Sequence, residues 1–281
     1  MSARVQSGRR QPPIWSIARH AIAVVICIVM AFPVYWMLVT ALTPNANMVS
    51  GVAHLWPDHF YLNNFTDAFA AQPWGRWFWN TLFVGVMSVL ITVSTNLLAG
   101  YSFAKLNFPG KTLIFFLLLS TLMVPIQVGM VPTFRIAVDL HLFDSLWGVI
   151  IPEIPAAFGI FLARQYMLSI PNELLEAARV DGAGHLRIFL SIVLPLCRPL
   201  VAVLVLFNFM FRWNDFAWPL IILKTPDKYT MPVGLLYLQG QYTVNYGQLL
   251  GMALITILPM LIIFLFLQRY FVEGLLRSGI K

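Results

Sequence analysis

The chain has 281 residues, of which 59% are hydrophobic and 10% charged, with a mean hydropathy of +0.79 and a formal net charge of +7. Soluble globular domains carry about 25% charged residues, so the composition excludes an ordinary soluble fold and implies an all-α integral membrane protein. The cations are dispersed over loops and never gathered with aromatics into one patch, which argues against nucleic-acid binding despite the positive balance.

Crossing a hydrocarbon core of roughly 30 Å takes about 20 helical residues. Windows of that kind occur six times, near Ile17 to Leu42, Trp77 to Ala104, Leu113 to Phe134, Leu146 to Gln165, Leu200 to Leu223 and Leu249 to Phe271. Lys and Arg flanking a span are retained in the cytosol. With the N-terminus inside, Arg4, Arg9, Arg10, Arg19, Lys105, Lys111, Arg164, Arg179, Arg187, Arg198, Arg269, Arg277 and Lys281 fall inside, and only Arg76, Arg135, Lys224 and Lys228 fall outside. Both termini are therefore expected in the cytosol. Residues 1–16 form a cytoplasmic segment, and 17–281 form one transmembrane domain without a fixed-period repeat. The first apolar run exceeds the core of a secretory signal, about 7 to 15 residues, and is expected to persist as a span. Cys27 and Cys197 both lie on the inner half of their spans and read as small apolar packing residues, not as a disulfide.

Between the first two spans, Thr43 to Arg76 combines Pro44, Pro57 and Pro73 with Trp56, Phe60, Tyr61, Phe65, Phe69 and Trp74. Such a loop hugs the membrane interface, either as a plain connector or as a docking surface for an external partner. The inner turn that follows contains Gly110-Lys111-Thr112, yet a phosphate-binding loop needs Gly where Lys105 stands and a strand ahead of it. If transport consumes ATP, another chain holds it. Pro125, Gln127, Gly129 and Pro132 in span three and Pro152, Glu153 and Pro155 in span four free backbone carbonyls, which a bilayer tolerates only against protein or a cavity. Both spans are expected to face protein.

Span five is the most polar, with Asn208, Arg212, Trp213, Asn214, Asp215 and Trp218. Asn208, Arg212 and Asp215 share a helix face by spacing. Charges at membrane depth face a bundle interior or a water-filled path, so two readings stand: an Arg212–Asp215 pair that joins helices, or side chains lining a route for a hydroxylated solute. Glu153 has the same two readings, with its partner undetermined. Asn80 and Asn96 read as interhelical hydrogen-bond formers. The five His residues are scattered, no two at a metal-binding helical spacing, and no Gly-x-Ser-x-Gly nucleophile turn occurs. Catalytic residues and metal ligands are expected to be absent.

After span four comes a polar segment. Pro171 suits a first helical turn, with Ser169 as a cap before it. Leu174, Leu175, Ala178 and more weakly Ala177 form an apolar strip opposite Glu173, Glu176 and Arg179. Gly182 ends that helix, and a second one runs from about Gly184 to Pro195. By pattern alone this elbow either receives a cytosolic partner or lies flat on the membrane. Its residues carry a resemblance that decides between them. Glu176-Ala177-Ala178, Gly182, Ile192 and Leu194-Pro195 stand at the spacing of the cytoplasmic loop signature of permease subunits of binding-protein-dependent ATP-binding-cassette importers. The stretches 154–161, 213–220, 231–235 and 268–272 narrow the resemblance to the shorter six-span partner of maltose-type carbohydrate permeases. It covers residues 15–281 and is thinnest over Thr43 to Arg76.

The resemblance implies a heterodimer with a second homologous permease, two copies of a cytosolic ATP-binding-cassette ATPase that hold ATP and Mg, an extracytoplasmic solute-binding protein, and a place in the inner membrane of a bacterial or archaeal cell. It implies that the elbow at 170–195 seats in the ATPase, with Glu176, Ala177, Ala178, Asp181, Gly182, Ile192, Leu194 and Pro195 at the motif positions. The tail at 272–281 resembles the family's C-terminal segment that reaches the ATPase. A carbohydrate, an oligo- or disaccharide foremost, is the implied solute. A glycerol phosphate or polyol is the alternative, and an ion-coupled secondary transporter is the more distant one.

Overall fold

The computed structural model describes residues 13–44, 55–57, 59–239 and 244–278, and among them every regular element is helical. Most of the N-terminal segment 1–16, the centre of the loop after the first span, and residues 279–281 lie outside the described residues. Among the described residues, three helices are long and apolar enough to cross a membrane alone. Three further crossings require pairs of helices bent at a short break, giving up to six. The chain divides into two compact units, one reaching to Ala68 and including Val244–Leu254, the other comprising the rest from Phe69 onward.

In the first unit, α1 (Pro13–Ala41) is the first expected span. Its outward residues, Ile22 to Val34, are apolar and largely exposed, as suits a lipid-facing rod. Cys27 is exposed within this chain, whereas Cys197 is buried. The end of α1 is held by Asn64, in α2 (Asn63–Ala71), whose buried amide donates to Ala41 O and Thr43 O, both at 2.9 Å.

The second unit is built around α3 (Trp74–Lys105), 32 residues and thus about 48 Å long at 1.5 Å per residue. It packs chiefly on α7 (Ala157–Leu168) and α10 (Arg198–Trp213). Small residues set the spacing. A Cβ on Gly100 would stand 2.5 Å from Ala163 Cβ, and one on Gly159 would stand 2.0 Å from Asn96 Nδ2. Such contacts substitute for the hydrophobic effect, which is weak between helices already in lipid. Asn96 is thus an interhelical packing residue, but its carbonyl oxygen has no hydrogen-bond partner. Asn80 does bond as expected, to Asp227 O at 2.8 Å and Tyr229 O at 2.9 Å. Trp74 and Trp77, 1% and 0% exposed, meet edge to face with centroids 4.9 Å apart. Trp74 is therefore a core residue and not one of the interfacial aromatics expected of its loop.

Span three is not one straight helix. Pro125 stands between the segment Lys111–Met123, which opens with α4 (Lys111–Ser120), and α5 (Ile126–Asp139), and the two axes meet at 107°. Met123, Val128 and Val131 are exposed within this single chain, so among the described residues no other segment of it covers that part of the proline-rich stretch. Span four breaks by 47° at Ile154 to Ala156, between Leu146–Glu153, which opens with α6 (Leu146–Ile150), and α7. Residues 198–223 divide into α10 and α11 (Ala217–Ile222), parted at Asn214 to Phe216. The short α12 (Met231–Tyr237) follows, and α13 (Tyr246–Ser278) supplies the last expected span.

Candidate functional site

The elbow consists of α8 (Asn172–Val180) and α9 (His185–Leu196). Ser169 does not cap α8, because its hydroxyl donates to Tyr166 O of the preceding helix at 2.7 Å. Pro171, extended at ψ 137°, stands at the cap position instead. At the far end Gly182 has φ +78°, its N–H donates to Arg179 O, and the Ala183 N–H donates back to Ala178 O at 2.9 Å. This is the two-bond Schellman closure, which satisfies terminal carbonyls through one left-handed residue. Nothing lies within 4 Å of a Cβ built on Gly182, so glycine is required here for its dihedral and not for space.

Only part of the expected apolar strip turns inward. Leu175 is buried and Ala178 half-buried, whereas Leu174 and Ala177 are exposed. Outward with them stand Glu173, Glu176, Arg179, Asp181 and Gly182. In α9 a π turn at Phe189–Val193 widens the helix and is a feature the amino-acid pattern does not announce. Ile188, Phe189 and Val193 enter one apolar cluster with Leu97 and Tyr101 of α3, Met167 of α7, Leu175 of α8 and Leu200 and Leu204 of α10. Ile192 and Leu194 are half-buried and Pro195 is exposed. Lys105, the last residue of α3, donates to Ile170 O at 2.6 Å and to Asn172 Oδ1 at 2.8 Å. The elbow is thereby joined to three helices at once, through an apolar core and a cationic clasp.

A second centre lies at the breaks of spans four and five. Arg212, 4% exposed, places Nη2 2.8 Å from Glu153 Oε2 and Nη1 3.3 Å from Asp215 Oδ2. The partner missing for Glu153 is Arg212. Asp215 lies past the end of α10, and its other oxygen accepts the Trp218 N–H at 3.4 Å. Trp213 is fully buried, stacked on Phe209 with its indole N–H donating to Thr256 O at 2.7 Å. Asn214 is exposed and bonds Met210 O. Asn208 is half-buried, with a carbonyl oxygen that has no partner. Five of the six candidate path residues thus cluster around two helix breaks, and Asn208 lies one turn away along α10. A buried guanidinium without such oxygens would leave an uncompensated charge, and the two carboxylates offset that cost.

A third cluster stands at the opposite end of α3 from the elbow. Asp144, in a left-handed conformation at φ 53°, accepts bonds from Lys224 N at 2.8 Å, Thr225 N at 2.9 Å, Thr225 Oγ1 at 2.6 Å and Lys228 Nζ at 2.8 Å. Burial opposes its ionisation, but these four donors outweigh that and hold the carboxyl well below the ordinary aspartate range. Arg76 and Trp77 reach the same loop, at Asp227 and Pro226 O. Arg76, Lys224 and Lys228 therefore share one end of α3, while Lys105 and the elbow share the other.

Bent and broken membrane-length helices with a polar elbow packed against one end define a helical membrane protein. The chain belongs to the binding-protein-dependent transport system inner membrane component family, whose model matches residues 96–276. It is similar to the arabinooligosaccharides transport system permease protein AraQ of Bacillus subtilis, with 35% identity over 278 residues, covering 97% of this chain and 99% of that one. It is also similar to the sn-glycerol-3-phosphate transport system permease protein UgpE of Pectobacterium atrosepticum, at 30% identity over 270 residues, 93% and 96% of the two chains. In fold it matches a crystal structure of a bacterial ABC transporter involved in the import of the acidic polysaccharide alginate, with a TM-score of 0.83, 23% identity, and coverage of 95% and 100%.

Proposed function

We propose that this chain is the half-channel subunit of an ATP-driven importer for a carbohydrate, an oligo- or disaccharide foremost, in a bacterial inner membrane. Six crossings leave both termini in the cytosol, residues 17–281 form the transmembrane domain, and the tail at 272–281 extends toward the ATPase. Support for this orientation comes from α3, whose two ends separate the inner cations from the outer ones as the positive-inside rule requires. A second homologous permease completes the path, an extracytoplasmic binding protein delivers solute, and two cytosolic ATPase copies hold ATP and Mg. This chain itself contributes no catalytic group and holds no cofactor.

The observation that carries this reading is the junction of the elbow with α3, α7 and α10 in one apolar cluster. Force applied at Glu176, Ala177, Ala178, Asp181 and Gly182 passes into packed helices and is not dissipated in a loose loop. Only a connection of that kind lets nucleotide-driven closure bias two conformations of a distant path, because the shift cannot exceed the differential interaction that is transmitted. Along the path, Glu153, Asn208, Arg212, Trp213, Asn214 and Asp215 place polar groups where the helices are broken and backbone must face protein or a cavity. Similarity to a glycerol-3-phosphate permease keeps a phosphorylated polyol as a second reading of the solute. Vesicles holding the assembled transporter, supplied with binding protein and ATP, test both readings. ATP-dependent uptake of a labelled neutral oligosaccharide supports the first, and uptake of the phosphorylated polyol alone supports the second. Uptake that follows a proton gradient without ATP overturns both.

A further inference from the structure

On the outer face of α3, next to the elbow, two cavities adjoin and share His185. The first, about 400 Å³, is an apolar groove lined by Leu98, Ala99, Tyr101, Leu186 and Phe189. Its polar neighbour, about 500 Å³, is lined by Lys105, Asn107 and Arg179 as well as His185. We propose that the paired cavities form a binding site for one anionic phospholipid, with an acyl chain along α3 and the phosphate between Lys105, Arg179 and His185.

Three observations converge on that ligand. The two cavities follow each other along α3 in the order of a lipid, greasy toward the middle of the helix and cationic at its last residue, Lys105. Lys105 commits two of its three donors, to Ile170 O and Asn172 Oδ1, which leaves one for an anion, while Arg179 and His185 are exposed. Glu173, near Lys105, is an opposing charge, so the site carries a modest cationic excess of the kind that favours a headgroup of low charge. Finally, Tyr101 lines the groove at 4% exposure with a hydroxyl that has no hydrogen-bond partner. A phosphate or glycerol-ester oxygen supplies the acceptor it lacks. Basic pockets between membrane helices on the cytosolic side recognise such headgroups. Occupancy would wedge lipid between α3 and the elbow, so the proposal goes beyond solute transport and makes the coupling foot sensitive to the surrounding leaflet.

The test uses the assembled transporter, purified in detergent and exposed in turn to phosphatidylglycerol, phosphatidylcholine and inorganic phosphate, with bound lipid counted by native mass spectrometry. Wild type is expected to retain phosphatidylglycerol over phosphatidylcholine. Arg179→Gln is expected to weaken that preference by about fivefold, the effect of one Lys or Arg near an anionic headgroup, and His185→Ala, which removes a ring N–H donor, to weaken it less. Ala99→Phe, which fills the groove and leaves the cations in place, should lower retention of both lipids. Equal retention of the two lipids by wild type overturns the proposal. Unchanged phosphatidylglycerol binding in the Arg179 and His185 variants also overturns it, as does complete displacement of lipid by inorganic phosphate, which would assign the pocket to a free anion. Because lipid is counted and not uptake, these outcomes are independent of which solute is carried.

Discussion

Arg212 reaches 59 residues back along the chain to Glu153, Nη2 to Oε2 at 2.8 Å, and so joins the end of α10 to the bend that precedes α7. Asp215 completes the centre, with Oδ2 3.3 Å from Nη1.

Glu153→Gln leaves Arg212, almost wholly buried, with one carboxylate in place of two. A hydrogen bond to a charged group contributes about 1.5–3 kcal/mol, and a loss in that range is expected in thermal unfolding of the purified complex. In the double variant Glu153→Gln/Arg212→Met the half-paired guanidinium is gone as well, so it should be less destabilised than Arg212→Met and Glu153→Gln combined. Additive losses would show that the pair is not coupled.

Gly182 distinguishes dihedral from volume. Ala at this position has room for its Cβ but must adopt φ near +78°, at a cost of roughly 1–2 kcal/mol. Asn visits that region more readily. Uptake by reconstituted transporter should therefore fall in the order Gly, Asn, Ala, Val, with ATP hydrolysis continuing uncoupled in the last. An identical rate for all four would remove the elbow from coupling. Glu176→Lys, on the exposed face of α8, is expected to lose uptake without loss of folding.

Asp144 gives a prediction in pH. Its carboxyl is held below the ordinary value near 4 in the folded chain, so the unfolded state binds the proton more readily. The stabilisation is fully present above that ordinary value and is lost as pH falls below it toward the folded pKa. Melting curves between pH 6 and about 3 should show wild type losing stability toward the acid end. Asp144→Asn should start lower at pH 6 and change less across the range. Parallel curves would mean that the donors from Lys228 and Thr225 do not discriminate the ionised form.

The crossing of α3 and α7 should be intolerant of a single added methyl. Gly159→Ala drives a Cβ into the Asn96 amide, and overpacking of this kind costs about 1–3 kcal/mol. Asn96→Ala in the same chain empties the space and should restore most of the melting temperature. Gly100→Ala, which meets Ala163 and backbone, has no such flexible neighbour to remove and should be the worse of the two substitutions.

Much of this architecture was legible before any coordinates. The apolar windows, the cation asymmetry along the loops and the Glu176-Ala177-Ala178 to Pro195 spacing led to membrane helices, an elbow after the fourth crossing and the family. Gly182 was read as a helix stop able to take positive φ, and it is one. Less legible were the continuity of the crossings and the direction in which side chains face. Pro125 and the residues between Glu153 and Ala157 looked like perturbations within spans but are corners, because a missing N–H weakens a helix without stating the angle at which it resumes.

Composition and periodicity report what each residue contributes locally, and in lipid that is enough to require helices, since every backbone polar group must bond within its own segment. The sequence by itself therefore determined the class, the helical content and the position of the polar elbow. Which charges meet is a matter of distances across the chain. The pairing of Glu153 with Arg212, the bonding of Asp144 to a loop some 80 residues away and the burial of Trp74 were decided only by tertiary structure. Each depends on two breaks or two loops arriving at the same place, and no local pattern records that coincidence.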